Sequence, residues 1–314
     1  MKVFVTGVGG QLGHDVMMEL NRRRLVGIGS GRAACGGFNG RPSIADMSYV
    51  QLDITDTPSV HKIMEAVHPD VVIHCAAWTA VDKAELTENR NAVRDVNETG
   101  TISIAQCCRA IGCKMIYIST DYVFDGRGER PWEPDCRDYA PPNWYGRTKL
   151  QGELAVTALL EKFFIVRTAW VFGENGDNFV KTMLELGKTH DKLKVVADQI
   201  GTPTYTPDLA RLLVDMAQSE KYGYYHATNE GGYISRYDFA CEIFRAAGYS
   251  TKVIPVTTAE YGPSNAVRPL NGRLDTRKLA QAGFTPLPDW KDALKRFLHT
   301  YKEKNNGTNS GYKV

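Results

Sequence analysis

Thr6-Gly7-Val8-Gly9-Gly10-Gln11-Leu12-Gly13, entered from the apolar run Val3-Phe4-Val5, decides how this chain is read. An apolar run, a glycine-rich turn and then an amphipathic stretch make a strand, a tight turn and a helix. The glycines at 7, 10 and 13 are spaced Gly-x-x-Gly-x-x-Gly. Gly7 permits the turn, Gly10 lets backbone N–H groups approach a pyrophosphate, and Gly13 lets helix and strand pack closely. Gln11 and Leu12 open the helix over the same turn. A lone glycine turn is a weak signal. Placed directly after the first strand, it points to a bound dinucleotide.

The rhythm around the turn supports a parallel sheet. Strands are expected at Val3 to Val5, Leu25 to Ile28, Tyr49 to Leu52, Val71 to Cys75, Met115 to Ile118 and Phe164 to Val166. Helices are expected over 11–24, 57–67, 90–111 and from Tyr145 to about 161, with a loop over 29–47. Alternating strands and helices imply an α/β fold of the Rossmann type, a doubly wound parallel sheet covered on both faces. After residue 170 prolines interrupt shorter elements, with helices expected at 178–187, 207–217, 236–247 and 289–301. The chain is therefore divided into a dinucleotide-binding domain over 1–170, a smaller mixed α/β substrate domain over 171–301 and a flexible tail over 302–314. A later segment is expected to return to the first domain.

Composition narrows the function. Among 314 residues, 38 basic and 36 acidic side chains leave a net charge of +2, which gives no support for nucleic-acid or membrane-surface binding. No apolar run approaches the ~20 residues of a membrane helix, and no signal peptide is visible. The seven cysteines, Cys35, Cys75, Cys107, Cys108, Cys113, Cys136 and Cys241, are odd in number and lack zinc-type spacing. They read as reduced thiols of a cytoplasmic protein. Asn306-Gly307-Thr308 fits a glycosylation sequon and, without a secretion signal, reads as chance.

The end of the second strand reports on the cofactor. Gly29-Ser30-Gly31-Arg32 holds no carboxylate, so nothing there repels a ribose 2′-phosphate. Ser30 and Arg32 suit that phosphate, and NADPH is expected ahead of NADH. Asp53-Ile54 follows the third strand and faces the adenine; Ala76, Ala77 and Thr79 follow the fourth and leave room for the cofactor. Ser119-Thr120-Asp121-Tyr122 follows the fifth, where a hydroxyl points into the ligand crevice.

Tyr145 and Lys149 lie four residues apart, on one face of a helix. A nearby ammonium favours the phenolate and lowers a pKa that starts near ~10. Such a tyrosine can exchange a proton with a carbonyl oxygen.

Together these residues resemble the extended short-chain dehydrogenase/reductases. More narrowly, five separated segments resemble the dTDP-4-dehydrorhamnose reductase family. They run from Ala76 to Glu85, Ser119 to Gly126, Arg167 to Phe172, Asp198 to Thr204 and Arg268 to Asp275. The resemblance covers nearly the whole chain. It implies reduction of the C4 ketone of dTDP-4-dehydro-L-rhamnose by NADPH. Tyr145 is then the general acid, Lys149 binds the nicotinamide ribose and lowers the tyrosine pKa, and Thr120 bonds the same oxygen. Trp170 holds the sugar, Asp121 and Tyr122 line its pocket, and Arg273 meets the diphosphate or sugar.

Some members of the family pair through magnesium held by carboxylates near the first helix and the C-terminus. Asp15 fits the first position, but Leu298-His299-Thr300-Tyr301 offers no carboxylate. A metal-independent monomer is expected, with a homodimer as the alternative. Two other functions stay open. A 4-epimerase shares the fold, whereas a 4,6-dehydratase needs a second carboxylate where Tyr122 stands. A non-catalytic regulatory subunit, like the β subunit of methionine adenosyltransferase, is the alternative of a different class.

Overall fold

Val3, Phe4 and Val5 are fully buried in β1 (Lys2–Thr6), the middle of a seven-stranded sheet. The structure is a computed structural model that describes residues 1–34 and 48–307. Residues 35–47 of the expected loop, Cys35, Thr308 and the end of the tail lie outside the described residues. The other strands are β2 (Val26–Gly31), β3 (Ser48–Gln51), β4 (Val71–His74), β5 (Lys114–Thr120), β6 (Phe163–Thr168) and β7 (Gly223–His226). All pairings are parallel, in the order 7-6-5-4-1-2-3. The order reverses between β1 and β4, which opens a crevice at the carboxyl ends of those strands.

Helices cover both faces. On one side α1 (Gln11–Arg22) packs on β1 and β2; on the other lie α2 (Thr57–Val67), α3 (Gly100–Ile111) and α4 (Trp144–Leu159). β2 runs three residues past the expected end, through Gly31. The reason is packing: a Cβ on Gly29 would stand 3.1 Å from Val8, and one on Gly27 3.1 Å from Leu20. These glycines let α1 close on the strand, a tertiary gain that outweighs poor strand propensity.

The expected helix over 90–111 is continuous and widens into a π-turn at Asp95–Thr99. Within it Asn97 accepts from Trp78 N at 2.8 Å and donates to Thr148 Oγ1 at 3.1 Å. The irregular turn thereby ties the segment after β4 to α4.

The second lobe is built on α5 (Phe179–Gly187), α7 (Arg236–Ala247) and α8 (Trp290–Gly307), around Phe172, Phe239, Trp290 and Phe297. Two parallel strands, Lys192–Val196 and Lys252–Val256, flank it. Between them the chain returns to the first layer: α6 (Thr206–Ala217) packs on α1, and β7 pairs with β6. α8 continues to Gly307, so the expected tail begins as helix. Residues Phe297 and Leu298 bury its apolar stripe and carry the helix onward. No helix among the described residues is long and apolar enough to cross a membrane.

Candidate active site

A cleft of about 1040 Å³ runs along the carboxyl ends of β1 to β6. Every cofactor and substrate residue named from the sequence lines it, except Arg273.

The glycine turn is fitted to a dinucleotide by exclusion of side chains. Gly7 has φ +72°, and a Cβ there would meet Ala76 Cα at 2.7 Å. A Cβ on Gly13 would stand 2.4 Å from Gly7 O, so α1 can approach β1 only with glycine at that position. Gly9 faces open space. Gly10 caps α1 without a side-chain hydrogen bond, which leaves its first N–H groups for an anion. Gln11 turns away from this role: Nε2 donates to Asp177 O at 3.2 Å and Oε1 accepts from Asn178 at 3.0 Å. It joins the glycine turn to the loop before α5.

At the far end Arg32 is exposed just beyond β2. Ser30 is buried in the strand, and its hydroxyl donates to Val5 O at 3.3 Å. A side chain already bonded within the sheet leaves Arg32 as the exposed donor at this end of the cleft. Asp53 is exposed and accepts from Thr55, while Ile54 is buried against Gly100.

The reacting end is assembled on α4. Asn143 accepts from Gly146 N at 2.8 Å and starts the helix, and Glu85 accepts from Trp144 N. Gly146 brings the first turn against Tyr122: a Cβ there would stand 2.3 Å from Tyr122 O. Tyr145 then meets Tyr122 edge-on, with ring centres 5.6 Å apart, and lines the cleft with Thr120. Deeper in α4, Glu153 forms a fully buried bidentate pair with Arg167 of β6, at 2.9 and 2.7 Å. Breaking such a pair strands a buried charge, so it fixes α4 on the sheet.

Electrostatics depart from the sequence expectation. Lys149 Nζ lies over the Tyr117 ring, 4.0 Å from its centre, and burial lowers its pKa to about 7. Burial also pushes the Tyr145 hydroxyl well above the ordinary phenol range, opposed by the Thr120 hydroxyl. The expected lowering of Tyr145 does not appear, because burial dominates its ionisation. Asp121 is raised to about 7 by burial, against the hydrogen bond from Thr120 Oγ1 at 3.0 Å and the charge of Arg236.

Trp170 holds a left-handed backbone, φ +49°, which aims its indole into the cleft. Gly201 clears its edge, since a Cβ there would lie 3.0 Å away. Arg273 points elsewhere and donates to Asn271 Oδ1 at 3.0 Å. The segment around it is structural: Gly272 presses on Asp121, and Arg268 clamps Asp82, whose pKa falls to about 2.

The sequence reading missed Arg236, Phe179, Asp177 and Ser119, all in the cleft. The first three come from the second lobe, where no motif marked them. Ser119 stood in a quoted motif; its buried hydroxyl has no hydrogen-bond partner among the described residues. The carboxylate of Asp15 accepts from Thr206 and lies 3.3 Å from His14 Nδ1.

The fold and the cleft define a dinucleotide-binding oxidoreductase of the short-chain dehydrogenase/reductase type. The family model described as the RmlD substrate binding domain matches residues 1–303. The dTDP-4-dehydrorhamnose reductase of Aggregatibacter actinomycetemcomitans is 39% identical, over 96% of this chain and 99% of its own. That of Streptomyces griseus is 40% identical over 92% and 90%. The crystal structure of the Bacillus anthracis dTDP-4-dehydrorhamnose reductase in complex with NADP superposes with a TM-score of 0.84 at 37% identity, covering 96% of this chain and 100% of that one. The chain belongs to the dTDP-4-dehydrorhamnose reductase family.

Proposed function

We propose that this chain reduces the C4 ketone of dTDP-4-dehydro-L-rhamnose to give dTDP-L-rhamnose, with NADPH as reductant. The observation that carries the reading is the meeting of Thr120, Tyr145 and Lys149 in one cleft with the glycine turn. NADPH supplies the hydride when bound. Gly7, Gly10, Gly13 and the start of α1 would hold its pyrophosphate, and Arg32 its 2′-phosphate. Ile54 would lie beside the adenine, and Ala76, Ala77 and Thr79 would leave room along the middle. Lys149 would hold the nicotinamide ribose.

Tyr145 keeps its proton at neutral pH because burial disfavours the phenolate. It gives that proton to the C4 oxygen as negative charge develops there. Thr120 has a single hydroxyl proton, which goes to Asp121 Oδ1 in the structure. When Asp121 is protonated it can donate to Thr120, and the threonine proton is released towards the C4 oxygen. Trp170 and Tyr122 would wall the sugar. NADPH deuterated at the transferred position should yield sugar carrying deuterium at C4. Its absence from a product formed at normal rate would defeat the reading.

A monomer without a metal bridge belongs to the same reading. The Asp15 carboxylate is engaged by Thr206, and the run Leu298-His299-Thr300-Tyr301 offers no carboxylate for a bridge. Light scattering in EDTA and in magnesium should give one monomeric mass; a magnesium-dependent dimer would refute this part.

A further inference from the structure

Among the described residues, three basic side chains line the cleft: Arg32, Lys149 and Arg236. Arg32 stands at the end of β2 and Lys149 beside the reacting centre, and both serve the cofactor in the reading above. Arg236 is the first residue of α7 and comes from the second lobe. Its guanidinium carbon lies 3.9 Å from the centre of the Trp170 ring and 5.1 Å from that of Phe179.

Stacking on an indole uses the face of a guanidinium and leaves the in-plane N–H donors free. Among the described residues, no carboxylate lies within ion-pair distance of Arg236, and its side chain makes no hydrogen bond. Arg268, the nearby cation that feels the same Tyr122, is already clamped on Asp82. Arg236 is therefore a half-buried, oriented and unpaired fork of donors on the wall facing Asp121. It remains cationic at neutral pH although burial lowers its pKa to about 10.

The proposed substrate is a nucleotide sugar, and its diphosphate must lie on the sugar side of the cleft. Phosphoryl oxygens match a planar fork of charged donors. We propose that Arg236, stacked on Trp170, binds the diphosphate of the nucleotide-sugar substrate, one of the two roles, diphosphate or sugar, that the family resemblance had implied for Arg273. The assignment rests on the function proposed above. It also gives Trp170 a second task, since the indole holds the guanidinium flat while its edge faces the sugar.

The test compares wild type with Arg236→Gln and Arg236→Lys, using dTDP and thymidine as calorimetric probes. Arg236→Gln should weaken dTDP binding, and raise KM for the nucleotide sugar, by about ten- to a hundredfold, the size of a lost charge-assisted contact. Thymidine and NADPH binding should stay within about twofold, and Arg236→Lys should recover part of the loss because it keeps charge without the fork. NADPH binding also shows that each variant is folded. Equal dTDP affinity in Arg236→Gln and wild type would overturn the assignment alone. Parallel losses for thymidine and dTDP would overturn it in favour of a packing role. Wild type that binds NADPH but neither dTDP nor the sugar nucleotide would overturn the proposed function, and the assignment with it.

Discussion

Lys149 points its ammonium at the face of Tyr117, 4.0 Å from the ring centre, and Tyr117 in turn donates to Lys149 O at 3.2 Å. Gly152 makes the second contact possible, because a Cβ there would stand 2.2 Å from the Tyr117 hydroxyl. The lysine is thus held by its own helix and the sheet, in a site that lowers its pKa to about 7. Burial disfavours its charged form, so the free protein loses the ammonium as pH rises through that value. If the charged form binds the cofactor ribose, NADPH affinity should weaken above neutrality, by at most about tenfold per pH unit. Calorimetric titrations from roughly pH 6 to 9 should show that slope. Lys149→Met should bind weakly and without it. A pH-independent wild-type Kd would remove the lysine from cofactor binding.

Asp121 titrates in the opposite sense. Burial raises its pKa to about 7, so its neutral form is lost as pH rises through that value. The neutral form is the one that frees the Thr120 proton. The kcat/KM profile, which reports the free enzyme, should therefore fall above about pH 7. Asp121→Asn keeps an acceptor and a donor beside Thr120 and cannot ionise, so it should flatten part of that fall. An unchanged profile in this variant would show that Asp121 does not govern Thr120.

Tyr145→Phe removes one hydroxyl and preserves the ring that packs against Tyr122. Turnover should fall by about 10²–10⁴-fold, the usual worth of general acid catalysis. NADPH affinity should hold within about twofold. Activity close to wild type would mean that another group protonates the C4 oxygen.

Arg32 is exposed, so its contact with a 2′-phosphate is screened by solvent. NADPH should be preferred over NADH by about tenfold, the lower end for a charge-assisted contact. Arg32→Asp should reverse the preference by repelling phosphate and accepting from a 2′-hydroxyl. Equal use of both cofactors by wild type, unchanged in Arg32→Ala, would make Arg32 a solvated loop residue.

Local signals carried the first half of the chain well. The turn at Gly7 to Gly13 and the alternating runs around it rest on backbone rules that act over a few residues. The end of β2 was misread because Gly27 and Gly29 look like loop residues until α1 is laid against them. The π-turn at Asp95–Thr99 was invisible for a similar reason: the Asn97 side chain bonds Trp78 and Thr148, partners distant in sequence. At the site, the motif residues Thr120, Tyr145 and Lys149 were legible and Arg236 was not. Its value comes from meeting Trp170, 66 positions earlier, and no spacing rule encodes that contact. Arg273 shows the converse, a motif arginine whose place in the sequence suggested a ligand but whose partner is Asn271.

The central claim is a net reduction at C4 of a nucleotide sugar. Incubating the purified protein with NADPH and dTDP-4-dehydro-L-rhamnose, while following cofactor absorbance and the configuration of the product at C4, tests it most directly. One NADPH should disappear for each dTDP-L-rhamnose formed. Cofactor absorbance that stays flat although NADPH binds, or C4 configurations that interconvert without loss of cofactor, would contradict it.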